Sequence, residues 1–124
     1  MNDRTRKTVL VVDDEKYLTG IWQEILKMID TDCVTADSGD SAIAVLKDRD
    51  VDLIITDLRM RGSDGFVLLR YLKNEAPTKI PAAVCSGFYN VSSEELMSHD
   101  VVRVISKPFD VREELDFLKA FLYG

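Results

Sequence analysis

The sequence predicts one α/β domain built around a parallel sheet. Three observations carry this expectation. Short apolar, β-branched runs alternate with stretches of helical periodicity, five times in succession. The first run, Val9-Leu10-Val11-Val12, is continuous rather than alternating, as in a strand buried on both faces. Finally, 124 residues, 46% of them hydrophobic, suit one domain with a real core.

The elements follow in order. Val9–Val12 forms the first strand and ends at Asp13-Asp14. Leu18, Ile21, Trp22, Ile25 and Ile29 recur at helical spacing, so an amphipathic helix is expected over residues 15–30. Val34-Thr35-Ala36 is a weak strand. Asp37-Ser38-Gly39 is a turn with a capping residue, opening a helix through Ala42, Ile43 and Leu46. Residues 51–56 make the next strong strand, ending at Asp57. A loop containing Gly62 follows, and Asp64-Gly65 opens a helix with Val67, Leu68 and Leu72. Pro77 and Pro81 bracket a linker to the fourth strand, Ala82–Cys85, which ends at Ser86-Gly87. A short helix is expected near residues 92–99. Val101–Ile105 is the fifth strand, ending at Ser106-Lys107-Pro108, and the last helix carries Val111, Leu115, Leu118 and Leu122 on one face. Right-handed crossovers then give a doubly wound (βα)5 sheet, and the flavodoxin-like strand order 2-1-3-4-5 is the natural choice. Residues 1–7 read as a disordered N-terminal tail and residues 8–124 as the domain.

Composition excludes several functions. Sixteen basic and 22 acidic residues give a net charge of -6, which disfavours direct nucleic-acid binding. No apolar run approaches a membrane span, and the basic N-terminus has no signal-peptide core behind it. A cytoplasmic location is expected. Cys33 and Cys85 sit in apolar stretches and read as buried, reduced thiols.

In a sheet of this order, ligands bind beyond the carboxyl ends of the strands, where the order reverses. Asp13 and Asp14 end the first strand, Asp57 the third, Ser86 the fourth, and Lys107 follows the fifth. Taken singly, each has an ordinary reading: Asp14 as a helix cap, Asp57 as a turn residue, Ser86 as a loop hydroxyl, Lys107 as solvated surface. Asp13 has no capping job. Their convergence on one rim is the informative observation. Three close carboxylates repel one another, and a hard divalent ion such as Mg2+ relieves this with oxygen ligands. Lys107 adds a fixed positive charge and Ser86 a hydroxyl donor. Such a set suits attack by a carboxylate on a phosphoryl group.

Val11-Val12-Asp13-Asp14-Glu15, Asp57-Leu58-Arg59-Met60 with Asp64-Gly65, Ser86-Gly87 and Lys107-Pro108-Phe109 together resemble the receiver domains of two-component response regulators. The resemblance spans roughly residues 8–122. It implies that Asp57 is the phosphoacceptor and a metal ligand, that Asp14 binds Mg2+ directly and Asp13 through water, and that the backbone carbonyl of Arg59 completes the metal's protein ligands. It implies that Ser86 and Lys107 bind the phosphoryl group, and that the Lys107–Pro108 bond is cis. The donor would be a phosphohistidine on a sensor histidine kinase or phosphotransfer protein. An output domain or partner protein would read the result, with homodimerisation through the last two helices as a further option. Such a chain is not an enzyme in the turnover sense, although it catalyses its own phosphorylation and dephosphorylation.

The sequence also departs from the family. Arg61 stands where proline is frequent, and Val104 occupies the switch position where Tyr or Phe is common. His99-Asp100 replaces the Ala-Gly pair usual before the fifth strand. Arg59 and Phe88, two residues past Asp57 and Ser86, are expected to shield an aspartyl phosphate from water. His99 reads as solvated, Trp22 as core, and Phe117 and Phe121 as completing the core beside the last helix.

Other functions fit less well. A haloacid-dehalogenase-type phosphatase would need a second aspartate where Arg59 stands. A flavin carrier would need a phosphate loop where Asp13-Asp14 would repel phosphate. No GxxxxGK loop is present. The remaining alternative is a receiver-like interaction module that is never phosphorylated; the intact set Asp13, Asp14, Asp57, Ser86 and Lys107 argues against it, while Val104 keeps it open.

Overall fold

The apolar runs become the middle of a five-stranded sheet. A computed structural model describes residues 6–60, 63–86 and 101–124. Its strands are β1 (Thr8–Val12), β2 (Asp32–Ala36), β3 (Leu53–Thr56), β4 (Arg59–Met60), β5 (Ser63–Asp64), β6 (Ala82–Ser86) and β7 (Val101–Ser106). Its helices are α1 (Lys16–Lys27), α2 (Gly39–Asp48), α3 (Gly65–Asn74) and α4 (Val111–Tyr123). The main sheet runs β2-β1-β3-β6-β7, parallel throughout. This is the flavodoxin-like 2-1-3-4-5 order expected from the sequence, counting the five sheet strands in chain order.

Two apolar layers cover the sheet. Leu10, Val12, Ile54 and Val84 face the side holding Ala42 of α2 and Leu68 and Leu69 of α3. Val9, Val11, Leu53, Ile55 and Ile105 face the other, with Trp22, Ile25 and Leu26 of α1 and Leu118 and Leu122 of α4. Strands covered on both faces account for the unbroken apolar runs. Trp22 is core, as expected, and stacks on Phe109 with ring centroids 4.7 Å apart.

Local chemistry sets the helix ends. Ser38 caps α2: its Oγ accepts from the Ser41 N–H while Ser41 Oγ accepts from the Ser38 N–H. Asp110 caps α4 by accepting from the N–H groups of Arg112 and Glu113. Helix α1 stops at Lys27, short of the expected residue 30, because Asp30 turns into the left-handed region at φ 52° and the Thr31 N–H closes back on the Leu26 carbonyl. The β3 strand is also shorter than expected, starting at Leu53.

The loop expected after Asp57 contains a small antiparallel ribbon, β4 paired with β5. The helix expected at 92–99, and with it Phe88, His99 and Asp100, lies outside the described residues, as does Arg61. Arg6 and Lys7, assigned by sequence to the tail, are held: Arg6 pairs with Asp32 at 2.7 Å and the Lys7 N–H donates to the Tyr123 hydroxyl. Among the described residues no helix is long and apolar enough to cross a membrane.

Candidate phosphoacceptor site

The chain leaving β1 and β3 at the carboxyl rim is tied in each case to the neighbouring strand. The Asp13 N–H donates to the Ala36 carbonyl at the end of β2, at 3.0 Å. The Asp57 N–H donates to the Val12 carbonyl at the end of β1, at 2.9 Å. The two carboxylates are therefore fixed from the main chain outward, and both are buried.

Lys107 joins them. Its ammonium donates to Asp57 Oδ2 at 2.9 Å and to Asp13 Oδ2 at 3.1 Å. The solvated-surface reading of Lys107 fails, since its side chain is only 18% exposed and bridges two acids. Burial works against its charge, but the hydrogen bonds it donates to Asp57 and Asp13 outweigh burial and raise its pKa. The ammonium stays charged across the physiological range. Asp13 moves the other way from a usual ion-paired acid. Burial raises its pKa, and the opposing Glu15 N–H and Lys107 do not fully offset it.

Asp13 also does a local job that the sequence reading denied it. Its Oδ1 accepts the Glu15 N–H at 2.9 Å. Glu15 is the N-cap of α1, and its own side chain makes no cap bond. A short Asx-type turn draws the β1–α1 connection close and aims Asp13 Oδ2 at Lys107. Asp14 follows, half-buried, at the same rim.

The expected cluster of three carboxylates takes a different form. Among the described residues, no three His, Cys, Asp or Glu side chains are gathered closely enough to hold an ion. Lys107 supplies the positive charge that draws two together. Two carboxylates competing for one ammonium still fit Mg2+, which commonly takes one or two acids, keeps several waters and adds a phosphate oxygen. A groove of about 300 Å3 opens beside Asp13, lined by Lys16, Thr19, Asp37 and Ser41.

The other expected residues fall as follows. Ser86 ends β6 beside β3, and its hydroxyl lies outside the described atoms. Arg59 starts β4, two residues past Asp57. The Lys107–Pro108 peptide is cis. Val104 is 46% exposed on β7. Cys85 is buried and Cys33 half-buried on β2, an edge strand of the sheet; both are free, and burial pushes their thiols up to about 12 and about 11. Phe117 packs against the core, but Phe121 is 39% exposed, so only one of the pair completes it.

Two features escaped the sequence reading. Thr56, directly before Asp57, is fully buried, and its hydroxyl donates to the Asp57 carbonyl. A lone hydroxyl inside an apolar run was the available signal. Glu114 of α4 is 3% exposed and takes a two-pronged ion pair from Arg103 at 2.8 and 3.0 Å, with the guanidinium over the Phe117 ring. Spacing does not reveal that pairing, because it joins a strand to a helix.

Comparison with known proteins places this geometry. The response regulator receiver domain profile matches residues 9–119. The phosphate regulon transcriptional regulatory protein PhoB of Pseudomonas aeruginosa is 34% identical over 121 residues, covering 94% of this chain and 52% of PhoB. The heme response regulator HssR of Staphylococcus haemolyticus is 32% identical over 114 residues, covering 91% of this chain and 50% of HssR. The chain thus spans about half the length of these relatives. Among solved structures, a response regulator receiver protein from Pseudomonas putida superposes with a TM-score of 0.86 at 31% identity, covering 93% of this chain and 97% of that one.

Proposed function

The chain belongs to the response regulator receiver family, and from that premise we propose that it accepts a phosphoryl group on Asp57 from a phosphohistidine, with Mg2+, and changes its partner contacts as a result. The observation that carries this reading is the Lys107 bridge to Asp57 and Asp13. A buried carboxylate beside a permanent ammonium is poised to receive an anionic group.

In this reading the Asp57 carboxylate attacks the phosphorus, and the bond from phosphorus to the donor's imidazole nitrogen breaks. Lys107 stays protonated, leaves Asp57 Oδ2 and pairs with a phosphoryl oxygen, so it acts by charge and not by proton transfer. Asp13, Asp14 and the Arg59 carbonyl would hold Mg2+, which when bound neutralises charge on the transferring group. Ser86 would donate to a second phosphoryl oxygen. The chain acts on itself, with no turnover of a separate substrate. Arg59 and Phe88 would shield the product, and replacing both with small residues should speed hydrolysis.

PhoB and HssR are regulators about twice this chain's length. A sensor kinase or phosphotransfer protein as donor, and an output domain or partner protein as reader, fit that relationship. A cytoplasmic setting fits the two reduced thiols. With Val104 at the switch position, the readout would not run through an aromatic rotamer there.

The test is incubation with Mg2+ and a small acyl phosphate or phosphoramidate, followed by intact mass. The expected result is a gain of one phosphoryl group that needs Mg2+. No gain in mass would leave the unphosphorylated interaction module as the better reading.

A further inference from the structure

The row of residues across the sheet just below the rim is Val12, Thr56 and Val84, paired strand to strand through β1, β3 and β6. All three are buried on the face that carries Ile54, Leu68 and Leu69. Valine fills the row on both sides of Thr56. Threonine has nearly the shape of valine, so packing alone leaves its hydroxyl unexplained. A hydroxyl in an apolar layer costs free energy unless it is bonded. This one donates to the Asp57 carbonyl at 2.8 Å.

That bond completes a grip on the main chain of Asp57. Its N–H is held by the Val12 carbonyl at 2.9 Å, and its carbonyl by Thr56. With both ends fixed, the side chain keeps only its own two torsions, and Lys107 holds those through Oδ2. The same bond sets the plane of the Asp57–Leu58 peptide. That plane directs the chain out of β3 toward Arg59, whose carbonyl lies two peptides on.

We propose that Thr56 is a positioning residue for the phosphoacceptor site: its buried hydroxyl orients the Asp57–Leu58 peptide, and through it both the Asp57 carboxylate and the Arg59 carbonyl. This role rests on the proposed function of Asp57. It differs from a purely structural hydroxyl bond in what it controls. A structural bond would govern stability, whereas a positioning bond governs ion affinity and reactivity.

The experiment compares wild type with Thr56→Val, which keeps the shape and removes the donor, and Thr56→Ser, which keeps the donor. Mg2+ affinity is measured by titration of backbone amide shifts, phosphorylation rate with a phosphoramidate, and Tm by thermal melting. Loss of a bond that orients a ligand typically weakens metal binding by about tenfold or more. The valine variant is expected to bind Mg2+ about tenfold more weakly and to be phosphorylated correspondingly more slowly, and serine should restore both. A valine variant equal to wild type in both, whatever its Tm, overturns the role. If the valine variant does not fold, Thr56→Cys, a far weaker donor, is compared with Thr56→Ser in the same measurements and carries the same contrast. A wild type that takes no phosphoryl group removes the functional reading and the role together. A phosphorylated wild type with an equally competent valine variant removes only the role of Thr56.

Discussion

Replacing Lys107 with methionine keeps most of the side chain's length and removes the charge that Asp13 and Asp57 share. Their side chains are 5% and 10% exposed, so both carboxylates are left largely dry beside each other. Breaking a fully buried ion pair costs about 3–5 kcal/mol. Lys107 is itself 18% exposed, and water can reach part of the gap, so about 2–3 kcal/mol is expected. For a domain of this size that is a fall in Tm of roughly 10 °C. Mg2+ should reverse part of it by taking over the vacated cation role. At ten times its Kd an ion that binds only the folded state adds about 1.4 kcal/mol. The raised pKa of Lys107 means that its contribution is complete below the unfolded value of 10.5 and is lost only as pH rises beyond the folded one. The Lys107 side of this bridge is therefore insensitive to pH across the physiological range. In the variant, Asp13 loses an influence that lowers its pKa, so the folded state takes up a proton more readily and the deficit shrinks as pH falls. Urea melts at pH 7.5 and pH 5, with and without Mg2+, measure all of this. A variant as stable as wild type in metal-free buffer at pH 7.5, or one that Mg2+ stabilises no more than wild type, would show that Lys107 does not hold the two carboxylates together.

Other consequences are sharper in sign than in size. Asp13→Asn removes a carboxylate whose pKa burial has raised, and should stabilise the protein by about 1 kcal/mol at pH 7.5 while weakening Mg2+ binding. Because wild-type Asp13 costs stability as pH rises through its raised pKa, that gain should vanish as pH falls toward the unfolded value of 3.8; a gain independent of pH contradicts the assignment. Arg103→Met strands the Glu114 carboxylate, and should cost about 2–3 kcal/mol in urea melts once the partial exposure of Arg103 is allowed for. Adding Glu114→Leu should recover most of that loss, and a double variant no better than the single one speaks against the pair.

The sheet order was legible because its logic is local. Val9–Val12 and Ala82–Cys85 are unbroken apolar runs for the simple reason that helices cover both faces. The rim was legible for the same reason: a strand end is a position in sequence, and Asp13, Asp57 and Lys107 follow strand ends directly. What needed coordinates was how those residues share their charges. Sequence brought Lys107 and three acids to one rim, and the fold shows that its ammonium bridges two of them, Asp13 and Asp57. Asp13 looked idle beside a capping Asp14, yet Asp13 makes the turn, since a side chain reaching two residues forward leaves no periodic trace. Asp30 ended α1 early through one left-handed residue, which the apolar stripe through Ile29 concealed. Phe121 sits one turn beyond Phe117 on the same face and packs against its ring at 5.5 Å, yet is 39% exposed at the end of the helix, a difference that spacing alone does not show.

In the proposed reaction Asp57 itself takes the phosphoryl group. Phosphorylated protein can be reduced with borohydride, which converts an aspartyl phosphate to homoserine, and then digested and sequenced by tandem mass spectrometry. The mark is expected on Asp57 in the wild type, with none anywhere in Asp57→Ala. A mark on Asp13, Asp14 or His99, or one that persists in Asp57→Ala, would contradict it.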